Sequence, residues 1–241
     1  MGRALAFQAR GRLLHKPSRT KIGRRGVLLA DLHSYGASKA VYANPPDWPE
    51  MLVWQQRLSP GDLFIDVGAN VGTYTLWAGD LGAEVIAIEP GPSAVERLRR
   101  NIALNDFPIT VIESAATDHC GTVRIDPGQD TIAHIGEGRY EVEAVTLDSI
   151  IGGRRVAGMK IDVEGAERLV LEGARGALGD QRIRCLQLEW NSTSVEYYGE
   201  QRTLVADLLA QFGYCLYRPS DDGTLHPATP EIGPDVFALP G

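Results

Sequence analysis

The chain has 241 residues, enough for one α/β domain with a sheet covered on both faces, and no second domain is expected. Its 44% hydrophobic and 23% charged residues exclude a disordered or fibrous class, and no apolar run approaches the roughly 18 residues of a membrane span. The net charge of −7 is unevenly spread: Arg3, Arg10, Arg12, Lys16, Arg19, Lys21, Arg24 and Arg25 precede Asp31 without one acid, which leaves −15 on the rest.

Residues 1–45 therefore read as a basic arm and a candidate substrate-lid segment, and residues 46–241 as the folded domain. A solvated, partly disordered tail explains the arm better than a nucleic-acid contact, because few aromatics interleave its charges and the acidic body repels a polyanion. The N-terminus lacks an apolar core ahead of a small-residue cleavage site, so no signal peptide is expected and the protein is read as cytoplasmic. Cys120, Cys185 and Cys215 are odd in number and widely spaced, which suits buried free thiols better than disulfides or a metal site.

In chain order, residues 47–58 read as a helix with Asp47 as N-cap and Pro49 near its start, ended by the turn chemistry of Ser59-Pro60-Gly61-Asp62. Residues 63–67 are an apolar strand and 73–81 a helix; 84–88 form the next strand. Pro92 opens a helix with Val95, Leu98 and Ile102 on one face, and 109–112 is a third strand. The stretch 121–147 breaks the alternation, with strands at 122–125 and 141–145, and reads as an inserted hairpin or loop over the mouth of the sheet. Alternation then resumes: strand 156–161, helix 166–177, strand 183–188, helix 201–212, and closing strands at 214–217 and 236–239.

The most informative segment is Asp66-Val67-Gly68-Ala69-Asn70-Val71-Gly72, a glycine turn between strand and helix. Glu89 lies 21 residues beyond Gly68, at the end of the next strand, where a carboxylate can accept ribose hydroxyls. A dinucleotide loop carries three close glycines for a pyrophosphate; here there are two, four apart, with an acid before them. That pattern suits a ligand with an amino group and no pyrophosphate, and S-adenosylmethionine fits. The turn resembles motif I of class I methyltransferases.

A second motif, Lys160-Ile161-Asp162-Val163-Glu164-Gly165-Ala166-Glu167, falls where a later strand ends and its helix begins. Strand carboxyl ends line the ligand crevice of an open α/β sheet, so Asp162 and Glu164 are expected in the same cleft as Asp66. They can bind the cofactor's amino group, hold a substrate hydroxyl or act as general base. His134, in the excursion, competes as base because it titrates near neutral pH; His33 and His119 are weaker candidates. Asp162, Glu189 and Asn191 end adjacent strands and form an oxygen set suited to magnesium, although binding to substrate or loop backbone is the ordinary reading and no metal is expected.

Together with Ala87-Ile88-Glu89-Pro90, these two motifs closely resemble the FkbM family of S-adenosylmethionine-dependent methyltransferases. The likeness extends through 101–105, Glu113-Ser114-Ala115-Ala116, Gly121-Thr122-Val123, Thr146-Leu147-Asp148-Ser149 and Leu188-Glu189, covering about residues 59–190. It implies a class I, Rossmann-like, doubly wound and mainly parallel seven-stranded sheet with helices on both faces. By position it places Asp66, Gly68, Asn70 and Gly72 around the methionine part, Glu89 on the ribose, Ser114 and Ala115 at the adenine edge and Asp162 near the methyl donor. It also implies methyl transfer to a hydroxyl of a sugar or secondary metabolite, as in natural-product tailoring. The partner is then a small hydroxylated molecule, with no membrane, nucleic acid disfavoured, and a homo-oligomer left open. The competing readings are an RNA or protein methyltransferase, supported by the basic arm, and a non-catalytic nucleotide-binding protein.

Overall fold

The computed structural model describes residues 2–14, 16–32, 35–127, 133–135 and 138–241. The N-terminal part runs α1 (Gly2–Leu14), β1 (Ser18–Ile22), β2 (Gly26–Ala30), α2 (Tyr35–Tyr42) and α3 (Glu50–Arg57). The first half of the main sheet follows as β3 (Leu63–Val67), α4 (Thr73–Asp80), β4 (Glu84–Ile88), α5 (Pro92–Ile102) and β5 (Ile109–Ile112). The excursion comprises β6 (Ala115–Ala116), β7 (Gly121–Pro127), β8 (Ala133–Ile135) and β9 (Tyr140–Val145). The remainder is α6 (Leu147–Ile151), β10 (Gly158–Ile161), α7 (Glu167–Glu172), α8 (Arg175–Gly179), β11 (Leu186–Leu188), α9 (Thr193–Tyr198), α10 (Arg202–Gln211), β12 (Tyr214–Pro219), β13 (Leu225–Pro227) and β14 (Val236–Pro240).

The main sheet has the order β13-β12-β14-β11-β10-β3-β4-β5, parallel from β11 to β5 and antiparallel across the β14, β12 and β13 edge. The expected seven strands are present, and β13 adds an eighth. It pairs with β12 through a turn in which Ser220 and Asp222 bind the backbone of Thr224, chemistry that closes a short edge hairpin. All five residues of β3 are buried, as a central parallel strand requires. Phe64 faces one core with Trp54, whose ring lies 5.0 Å from it at 80°, while Ile65 and Val67 face the other with Met159, Ile161, Leu186 and Leu188.

The arm departs most from expectation. Ile22, Leu28 and Ala30 are fully buried in the core beneath α4, and the outward positions Arg19 and Lys21 carry the charge. Asp80 at the end of α4 accepts from the backbone N–H of Arg24 and Arg25 at 2.7 Å each. Asn105 and Asn101 accept from the N–H of Val27 and Leu29, so these half-buried edge amides are paired. Burying Ile22 and Leu28 contributes about 1.5–3 kcal/mol each, enough to hold a short hairpin that its charge density disguises.

Four local expectations are corrected. Asp47 does not cap α3, whose N-cap is Pro49; its carboxylate binds Lys39 at 2.9 Å. The single helix over 166–177 is split into α7 and α8, because Gly173 lies against the carbonyl of Thr117, where a Cβ would come within 2.0 Å. Asp148 then accepts from the N–H of Gly176 and Ala177 at 2.7 Å and restarts the helix. Of the three free cysteines only Cys185 is buried; Cys120 and Cys215 are exposed. The excursion, expected as an inserted hairpin or loop, is a four-stranded sheet of order β6-β9-β7-β8. Among the described residues no helix is long and apolar enough to cross a membrane.

Candidate active site

The carboxyl ends of β3, β4 and β10 meet at a cleft. β3 ends at Val67 and the chain turns at Gly68, which holds φ +78°. A Cβ there would lie 1.8 Å from the carbonyl oxygen of Asp162, so only glycine lets the loop close against the second motif. Glu89, 3% exposed, spans the loop: its Oε2 accepts from the N–H of Asn70 and its Oε1 from that of Gly91, both at 2.8 Å. Burial pushes its carboxyl up to about 7, although those two N–H groups pull the other way.

On the other side, Lys160 is 4% exposed at the end of β10; its Nζ donates to Asp162 Oδ2 at 2.6 Å and stands 4.6 Å over the ring of Tyr74. Burial opposes its charge, yet the carboxylates of Asp162, Asp66 and Asp235 outweigh burial and raise its pKa. Gln187 extends this buried chain, donating to Tyr74 Oη at 3.0 Å and to Asp235 at 2.8 Å while accepting from the Trp54 indole. Burial holds Asp235 at about 6.

Three further acids crowd the same strand ends. Glu164, half-buried at φ 54°, is pushed up to about 7 by burial and then by the charges of Asp162 and Glu167. Glu189, just after β11, is pushed up to about 9 by burial and then by Asp162, Glu164 and Glu167, and its Oε2 has no hydrogen-bond partner among the described residues. Glu167, fully buried, is paired with the guanidinium of Arg202, which also donates to the Asn191 carbonyl at 3.0 Å and stacks 5.5 Å from Trp190.

Gly68, Asn70, Glu89, Ser114, Ala115, Asp162 and Glu164 all line the cleft. Asp66 and Gly72 do not. Asp66 lies 1% exposed beneath the loop, where it accepts from Thr75 Oγ1 at 2.6 Å, and Gly72 is the N-cap of α4. His134 belongs to β8, but its side chain is outside those described, and His33 is outside the described residues altogether. His119 pairs with Asp118 at 2.7 Å on the surface. Asn191 turns its Oδ1 to Arg202 at 3.3 Å, and among the described residues no group of three or more His, Cys, Asp or Glu is placed to hold a metal. Sequence reasoning assigned no work to Lys160, Tyr74, Gln187, Asp235 or the Glu167–Arg202 pair. Lys160 alone carried a signal, since a lysine between Met159 and Ile161 in a central strand must find buried acids.

The wall chemistry fits a nucleoside with an amino-acid tail. Glu89 offers a carboxylate to ribose hydroxyls, and Asp162 together with the buried, unpartnered Oδ1 of Asn70 offers acceptors to an ammonium. Ile88, Pro90, Ala115 and Ala116 form apolar walls for a flat ring.

Residues 66–219 match the domain family described as "Methyltransferase FkbM domain", running past residue 190, where the legible motifs end. Methyltransferase sdnD of Sordaria araneosa is 26% identical over 160 residues, covering 48% of this chain and 62% of that protein. The 31-O-demethyl-FK506 methyltransferase FkbM of Streptomyces tacrolimicus is 29% identical over 162 residues, covering 50% and 62%. The matched region thus spans less than two thirds of either relative's length. Among solved structures, the METTL16 MTase domain shares the fold with a TM-score of 0.50 at 14% identity, covering 99% of this chain and 78% of that one. The cofactor of this family and fold is S-adenosyl-L-methionine, and the residues lining the cleft fit it. With more than half of its length matched, including both acidic motifs and the glycine turn, the chain belongs to the FkbM methyltransferase domain family.

Proposed function

We propose that this protein methylates a hydroxyl oxygen of a small metabolite, of the sugar or natural-product kind, with S-adenosylmethionine as donor. The observation that carries the reading is the pairing, on one cleft, of a nucleoside-shaped wall and two acids of unequal character, Asp162 and Glu164. When bound, the cofactor supplies an electrophilic methyl group. Glu89 would accept the ribose hydroxyls, Ser114 and Ala115 would edge the adenine, and Asn70 with Asp162 would hold the amino group.

Lys160 donates to Asp162 and fixes its carboxyl in place, which suits a binding acid. Glu164 has no such cation at bonding distance and is held at about 7, close to the ordinary working pH, which suits a general base taking the proton of the acceptor hydroxyl. The name of the Streptomyces tacrolimicus relative gives its acceptor as 31-O-demethyl-FK506, which supports transfer to an oxygen.

The test uses Glu164→Gln beside the parent protein, a panel of hydroxylated metabolites and a tRNA transcript, with methyl incorporation read by mass. The expected result is methylation of a metabolite, a loss of turnover in Glu164→Gln of about 10²–10⁴-fold, and S-adenosylhomocysteine affinity within about twofold of the parent. Methylation of the tRNA with none of the metabolites would overturn the acceptor class. Unchanged turnover in Glu164→Gln would remove Glu164 as base.

A further inference from the structure

The basic arm folds into something other than a uniform charged surface. Where α1, β1 and α5 meet, a groove opens away from the cofactor cleft. Arg10 reaches it from α1, Lys16 from the link before β1, Arg19 from β1, and Arg100 from the last turn of α5. No acid lines it, and none of these four exposed cations has an ion-pair partner among the described residues. The Nε of Arg10 donates to the Pro17 carbonyl at 3.1 Å, which fixes its guanidinium and leaves the two terminal nitrogens for a ligand. The floor is apolar: Phe7 is 3% exposed, and Leu29 and Val41 lie beside it. A smaller adjoining cavity shares Pro17, Leu29 and Arg100 and ends at the Arg97–Asp31 pair, 3.9 Å apart.

Four like charges drawn together by three elements repel one another, and in a chain of net −7 they do not serve general solubility. Their convergence is the expected counterpart of a multiply charged anion, and guanidinium forks match phosphate oxygens two at a time. The apolar floor calls for more than an inorganic ion. A nucleic-acid strand fits poorly, because it would have to continue from the groove over a body that carries −15.

We propose that this groove binds a soluble phosphoester, a doubly charged phosphate or pyrophosphate joined to an apolar body. The site is independent of the methyl-transfer reading, since none of its residues lines the cofactor cleft.

The test is calorimetric titration of the full chain with dihexanoyl phosphatidic acid, inorganic pyrophosphate and a decauridylate, at low and moderate salt. The comparison is with the variant Arg19→Gln/Arg100→Gln, and S-adenosylhomocysteine affinity with the circular dichroism spectrum reports folding. The expected result is saturable binding of the phosphatidic acid and weaker binding of pyrophosphate, each about tenfold or more weaker in the double variant and weaker in salt. S-adenosylhomocysteine binding stays unchanged. Absence of binding by both phosphate probes, or equal binding by the folded double variant, would overturn the proposal. So would a decauridylate that binds more tightly than the phosphatidic acid, which would make the groove a nucleic-acid contact.

Discussion

The two halves of the cleft use the same residue type in opposite ways. On the β3–β4 side the acids are satisfied: Asp66 by Thr75, and Glu89 by two backbone N–H groups. On the β10–β11 side Asp162, Glu164 and Glu189 share one lysine, and Glu189 keeps an oxygen with no partner among the described residues. On the first side the backbone donors pull the Glu89 carboxyl down against burial and hold the loop in place, whereas on the second side burial and neighbouring acids together raise Glu164 and Glu189. In the proposed function the base, Glu164, lies on the second side, while recognition draws on Glu89 from the first side and Asp162 from the second.

The largest expected effect comes from the one acid of the second side that is fully compensated. Arg202→Met leaves Glu167 buried without its counter-ion, keeping only the Gly165 N–H, which should cost about 3–5 kcal/mol in denaturant unfolding, while Arg202→Met combined with Glu167→Leu should recover most of it. A single variant as stable as the parent would show that this pair does not brace the strand ends. Next is Gly68→Ala, which strikes the seam between the halves. Its φ of +78° alone should cost about 1–3 kcal/mol, and the collision with the Asp162 backbone should abolish S-adenosylhomocysteine binding in calorimetry.

Glu89 sharpens the contrast through pH. Its folded pKa of about 7 lies above the ordinary 4.5, so the stability it contributes is full below 4.5 and is lost as pH rises towards 7. Ribose hydroxyls donate to the ionised form, so S-adenosylhomocysteine should bind more tightly as pH rises through that window. Glu89→Gln should weaken binding by about tenfold at pH 8 and flatten its pH dependence, as followed by titration from pH 5.5 to 8.5. The smallest effect is a gain. Glu189, raised to about 9 by burial and its acidic neighbours, loses its stability contribution between 4.5 and 9, so Glu189→Gln should raise stability at pH 8 by on the order of 1 kcal/mol. Thermal unfolding at pH 5 and pH 8 measures it, and a loss at pH 8 would mean that the carboxylate is stabilised by a donor.

The sequence by itself determined the alternation of the main sheet, the glycine turn, the acid ending β4 and the pair of acids after β10. Each is encoded locally: an apolar run reads as a buried strand, and a residue at a strand's carboxyl end must reach the crevice. Only the tertiary structure decided that Asp66 serves the loop from below, that Gly173 interrupts a helix against Thr117, and that the charged arm is a docked hairpin. Those outcomes depend on partners distant in the chain, such as Asp80 for Arg24 and Arg25, Asp162 for Gly68, and Asp235 and Tyr74 around Lys160. Periodicity and spacing report which way a side chain faces; which group it meets there is fixed only when the sheet closes and burial makes each unpaired polar atom costly.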